Sequence, residues 1–152
     1  MITTVLIQHF EKDLNKLIEE INLYPDDASL WKLKDGIKNT GGNLCLHLAG
    51  SLQHFIGAII GESGYVRNRD AEFSLKNITR QKIIGELEAT KLIVKDTLEQ
   101  VSKRELDQNF AVKMGEQTVT TEYWLVLMIT HLNYHLGQVN YHRRLLGTAE
   151  SQ

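Results

Sequence analysis

The 152-residue sequence has one cysteine, one proline and almost no net charge, and each scarcity removes a class of answer. A lone Cys45 excludes an internal disulfide and suits a reducing compartment, so the expected location is the cytoplasm. With Pro25 the only proline, most of the chain is free to run as long helices, and 11 glycines are left to mark loops. Net charge is -2, from 17 basic and 19 acidic residues. No excess of Lys and Arg exists to neutralise phosphates, so a nucleic-acid partner is not expected. No stretch is read as reaching the roughly 18–20 apolar residues that cross a bilayer, so no membrane partner is expected. The opening "MITTVLIQHFEKDLNKL" lacks a cationic start and a cleavage site and is not a signal peptide. Internal repeats and low-complexity tracts are also missing. The expectation is one domain over residues 1–152.

What is present is helical periodicity. Val5, Leu6, His9, Phe10, Asp13, Leu14, Leu17, Ile18 and Ile21 recur at three- and four-residue steps, predicting a helix from Ile2 to Leu23 that "YPDD" ends. Residues 24–42 read as a long connection carrying Trp31, with Asn43 as the cap of a second helix, "LCLHLAGSLQHFIGAII". That helix is apolar nearly all round and should be buried on most sides, with Gly61 and Gly64 closing it. The segment "GYVRNRDAEFSLKN" reads as a loop. Thr79 caps a third helix whose stripe is Ile83, Leu87, Thr90, Val94, Leu98 and Val101, opposite a solvated face of i to i+4 charge pairs. "SKRELDQNFAVKMGEQTV" breaks the pattern, and a fourth helix runs from Thr120 to Leu146. Its stripe Leu125, Met128, Leu132, Leu136 and Val139 faces a bundle. A second stripe, Tyr123, Leu127, Thr130, Tyr134 and Tyr141, asks for another partner, a second subunit. The expected architecture is all-α, a four-helix bundle with two long connections.

Three of the six histidines crowd into "THLNYHLGQVNYHRR". His131 and His135 stand at i and i+4, one turn apart on one face, where two imidazoles can point at one ion. HxxxH alone recurs by chance, and Leu132 rules out the HExxH protease motif with its general base. His47 lies on a helix too apolar for an unpaired imidazole and is either a hydrogen-bonded core residue or a third ligand across the bundle. Three neutral imidazoles leave coordination positions open for a reactive water. His54 is an alternative ligand, read first as a lower-core or interface residue. His142 lies about 10 Å beyond His135 along the axis, too far for the same ion, and reads as a surface or end-of-helix residue that complements the helix dipole when charged. His9 has no visible partner. Gln138 can hydrogen-bond a ligand imidazole or a bound water, and Gly137 can admit another backbone. Cys45 points away and is a small buried hydrophobe. Arg67 and Arg69 read as loop ion pairs with Asp70 and Glu72, or as anchors for an acidic substrate.

With "NLCLHLAGSLQHFIG", then "VRNRDAEF", then "HLNYHLGQ", the chain resembles the DinB/YfiT superfamily of small helical bundles, its uncharacterised DinB-like branch in particular. The resemblance implies up-down-down-up connectivity and a homodimer. It also implies a divalent metal, nickel or zinc, on His47, His131 and His135. Relatives of this kind are transferases using low-molecular-weight thiols such as bacillithiol or mycothiol, or suspected hydrolases. The expected function is therefore metal-dependent thiol transfer or hydrolysis. No Asp or Glu is spaced near the His131–His135 pair as a general base, which keeps open a non-catalytic, stress-associated, metal-binding homodimer.

Overall fold

The computed structural model describes residues 1–147, so the last five residues of the expected domain lie outside the described residues. Among the described residues the chain is all-α, without a named strand. The elements are α1 (Ile2–Leu23), α2 (Gly41–Leu52) continued by a π-helical stretch (Gln53–Ile60), α3 (Arg69–Ser74), α4 (Arg80–Gln100), α5 (Lys103–Asp107) and α6 (Thr121–Leu146). Of these, α1, α2, α4 and α6 are the helices anticipated from periodicity. α1 lies against α4 and α6, and α2 lies against the same two.

The amphipathic stripes explain this packing. On α1, Leu6, Phe10, Leu14, Leu17 and Ile21 are buried, whereas Val5 and His9 face solvent. The intruder Asp13 is buried with a partner, accepting from Asn133 Nδ2 of α6 at 3.0 Å. Glu20, also buried, binds Asn140 and Arg143 of α6 in the same way. On α4 the expected stripe is buried and the Thr79 hydroxyl accepts from the Lys82 amide. Its charges pair differently from expectation: Lys91 meets Glu88 one turn away, and Lys95 reaches Glu11 on α1.

Several expectations need correction. Thr40, not Asn43, caps α2: its hydroxyl accepts from the Asn43 amide, because the helix begins two glycines earlier than the apolar run. Every residue of α2 is buried. By length and composition Gly41–Ile60 would suffice to cross a membrane, contrary to the sequence reading, but most of it is covered by the other helices, as a core helix must be. All three connections between the long helices are long, where two were expected, because each holds folded structure. The first contains a 3-10 turn (Ala28–Trp31), the second α3, and the third α5 with its Ser102–Glu105 capping box.

On α6 the first stripe is buried as predicted, and the second leaves Tyr123, Tyr134 and Tyr141 exposed at 50%, 66% and 62%. Within the chain nothing approaches Gly137, so the close backbone expected there is absent among the described residues. His142 is the clearest reversal. It is buried, not a surface residue. Its Nε2–H donates to the Lys32 carbonyl at 2.8 Å, so Nδ1 accepts from the Tyr24 hydroxyl at 2.6 Å. The absence of a side chain at Gly41 makes room, since a Cβ there would collide with that hydroxyl. This pair ties the first connection to the end of α6, a role the one-helix wheel cannot reveal.

Burial holds the His142 pKa below its ordinary value, with the Lys32 hydrogen bond opposing. The unfolded ring therefore takes up protons at a pH where the folded ring does not. The resulting stability is present above the unfolded value near 6.5 and is lost as pH falls towards the folded value. Urea denaturation of chelator-treated protein between pH 7 and pH 5 should show a smaller loss for His142→Gln than for wild type. Equal slopes would remove His142 from the acid sensitivity.

Candidate metal centre

The site is built where α2 and α6 run antiparallel. Along this seam Phe55 faces Trp124, Ser51 faces Met128, and His47 faces His131 and His135. Nε2 of His131 lies 3.2 Å from Nε2 of His47 and 3.0 Å from Nε2 of His135. The three ligand atoms lie within 4.8 Å of one another, a group that could hold a metal ion. His47 is buried and the other two are half-buried. The structure therefore brings together the three imidazoles singled out in the sequence.

Two of the rings have their tautomers fixed from outside. Gln138 Oε1 sits 2.6 Å from His135 Nδ1, as expected of that residue, and accepts its proton. Glu72 Oε1 sits 3.0 Å from His47 Nδ1 and does the same for that ring. Both rings then present a bare Nε2 lone pair to the centre. If His131 Nε2 carried a proton it would have to serve two acceptors; without one, three lone pairs face each other. A cation resolves this crowding, so the donor set fits a metal that prefers imidazole. Burial, then the neighbouring His135 and His47, holds the His131 pKa down at about 4. Burial also lowers that of His47, against the pull of Glu72. These two rings are thus neutral, as ligands must be, at neutral pH.

Glu72 is the functional residue that sequence reasoning misplaced. It is buried, and its second oxygen accepts from Arg67 Nε at 2.8 Å, with Arg67 Nη2 at 2.9 Å from the first. The expected Arg67–Glu72 pair exists, but it lies beneath the site, not in a solvated loop. Its orientation has local causes. Asn68 caps α3, and Asn43 Nδ2 donates to the carbonyls of Glu72 and Leu75, which docks α3 on α2. Gly50, one turn past His47, leaves a hollow for the Glu72 carboxylate, which a Cβ would strike. The signal available in the sequence was Asn43, read there as a cap only.

Phe73 packs on His47 and Tyr134 on His135, at ring-centroid distances of 4.9 and 5.3 Å. His54 does not join the cluster. Its helix leaves α-geometry at Gln53, and its ring meets that of Phe55 edge-on instead. Arg69 lies over the Phe73 ring and forms no ion pair among the described residues. Cys45 is buried, as expected, and burial pushes its thiol pKa up.

Comparison with known proteins adds the following. No curated protein matches the chain. Among solved structures, a DinB-like protein from Bacillus subtilis (YjoA) matches with a TM-score of 0.68 at 19% identity, covering 97% of this chain and 95% of that one. Residues 3–152 match the model of a family described as a protein of unknown function, DUF1572. The fold is DinB-like, and the chain belongs to the DUF1572 family.

Proposed function

We propose that the protein is a divalent-metal-dependent enzyme in which His47, His131 and His135 hold nickel or zinc. The observation that carries this reading is the convergence of three Nε2 atoms, two of them on rings whose outer nitrogens are fixed by Glu72 and Gln138. A bound ion would lower the pKa of a water or small thiol and supply a nucleophile near neutral pH, for hydrolysis or thiol transfer. The chain's own residues hold the rings in place. Glu72 and Gln138 fix two tautomers, and Phe73 and Tyr134 limit how far the flanking rings turn. In this reading residues 1–152 form one cytoplasmic domain of up-down-down-up connectivity, with α1 and α2 on opposite corners of a four-helix bundle. It works as a homodimer through the exposed tyrosine face of α6, without a nucleic-acid or membrane partner.

Protein purified without chelators should carry close to one equivalent of metal by elemental analysis, and metal-loaded protein should consume a small thiol in the presence of an electrophile. Less than about a tenth of an equivalent sinks the metal reading. Sedimentation at micromolar concentration checks the dimer, which a 17.4 kDa species would exclude. A specific observation favours the non-catalytic alternative: both oxygens of Glu72 are engaged, so among the described residues no free carboxylate stands at the triad as a base. Equal thiol consumption by metal-loaded and metal-free protein would decide for that alternative.

A further inference from the structure

A cleft of about 460 Å³ opens beside the triad, a volume typical of small-molecule sites. Its position follows from the antiparallel seam. On α2 it begins at Leu44, one turn before His47; on α6 it begins at Gln138, one turn after His135, and continues through Tyr141 to Leu145. Both helices thus lead away from the histidines in the same direction. Gln138 belongs to both places, since its Oε1 holds His135 while its side of α6 lines the cleft. The far wall is the 34–39 segment, fixed by the Lys32–His142 hydrogen bond described above.

The lining has two characters. Ile37, Leu44 and Leu145 give an apolar wall, with Ile37 and Leu145 exposed, and Tyr141 stands where this wall meets the α6 face assigned above to the dimer. At the loop end stand Lys34 and Lys38, against one opposing carboxylate among the described residues, Asp35. Neither lysine enters an ion pair among the described residues. From His135 to Leu145 the helix rises about 15 Å, the length of an extended small molecule. We propose that this cleft is the substrate-binding site of the metal centre and takes an amphiphilic anion. The acid group meets Lys34 and Lys38, the apolar body lies along α6, and the far end reaches His135. The substrate assignment rests on the metal-enzyme reading; the class of ligand rests on the cleft alone.

The probe is decanoate, titrated calorimetrically into metal-stripped wild-type protein, with decylammonium as the oppositely charged control. The expected result is one site with a Kd below about 1 mM, weakened at least about tenfold in Lys34→Glu/Lys38→Glu, and much weaker binding of decylammonium. The lysines are surface loop residues, and amide shifts at Leu44 and Gln138 on titration give a second, variant-free readout. Equal affinity of wild type and the double variant overturns the proposal, as does equal binding of the cation. Binding that requires the ion and disappears in His131→Ala overturns it too, because the acid would then sit on the metal. Protein that purifies without metal but still binds decanoate through the lysines defeats the metal reading and upholds the ligand class, so the two failures are distinguishable.

Discussion

Replacing His131 with alanine is expected to reduce bound metal from about one equivalent per chain to below about a tenth, with His54→Ala retaining the wild-type content. His131 is the apex of the cluster, the ring whose Nε2 stands close to both of the others. Without it, two imidazoles on different helices remain, and a two-ligand site loses far more affinity than the ten- to hundredfold that a supporting partner contributes. The fold should survive, since the ring is half-buried and alanine suits a helix interior. The apo variant should even lose a source of repulsion, because its neighbours no longer face a third lone pair. Elemental analysis with circular dichroism on the same sample reads both points. Wild-type metal content in a folded His131→Ala protein would rule out this triad as the metal site.

Glu72→Ala is expected to lower stability by about 3 kcal/mol, the lower end of the range for breaking a buried ion pair, because the partner left behind, Arg67, is part-buried. In a chain of this size that is a fall in melting temperature on the order of 10 °C. Metal affinity should drop about ten- to hundredfold as well, because His47 then turns freely and can expose either nitrogen to the centre. Gly50→Ala reaches the same place by another path. A methyl group in the hollow under α2 expels the carboxylate without touching its charge. The two changes should therefore not add: Gly50→Ala/Glu72→Ala should be no less stable than Glu72→Ala alone. Thermal melts of the three variants beside wild type measure this. Additive losses would mean that Gly50 matters for some reason other than Glu72.

What could be read from the sequence, and what could not, divides along the range of the underlying forces. Helix periodicity is local, so α1, α4 and α6 were legible nearly to the residue, with Thr79 as the cap of α4. His131 and His135 were legible for the same reason. His47 was legible because an imidazole conflicts with its apolar surroundings. Glu72 was not: it stands in a short segment with Arg67, Arg69 and Asp70 that reads as a charged loop, and only the docking of α3 by Asn43 turns it inward. His142 was not legible either: its burial comes from Tyr24 and Lys32 at the other end of the chain. The π-helical stretch after Leu52 has no periodic signal, since an apolar run reads the same in either helix type.

The separation of the ligands along the chain has a consequence of its own. His47 and His131 are 84 residues apart, so an ion shared between them closes more than half of the polypeptide into a loop. In the unfolded chain, a cross-link over that span removes loop-closure entropy worth on the order of 4–5 kcal/mol, if it behaves as a disulfide would. A protein with one cysteine cannot form that covalent bridge within itself. A metal would give it a detachable one, set by the free concentration of the ion and open to removal by any stronger chelator in the cell.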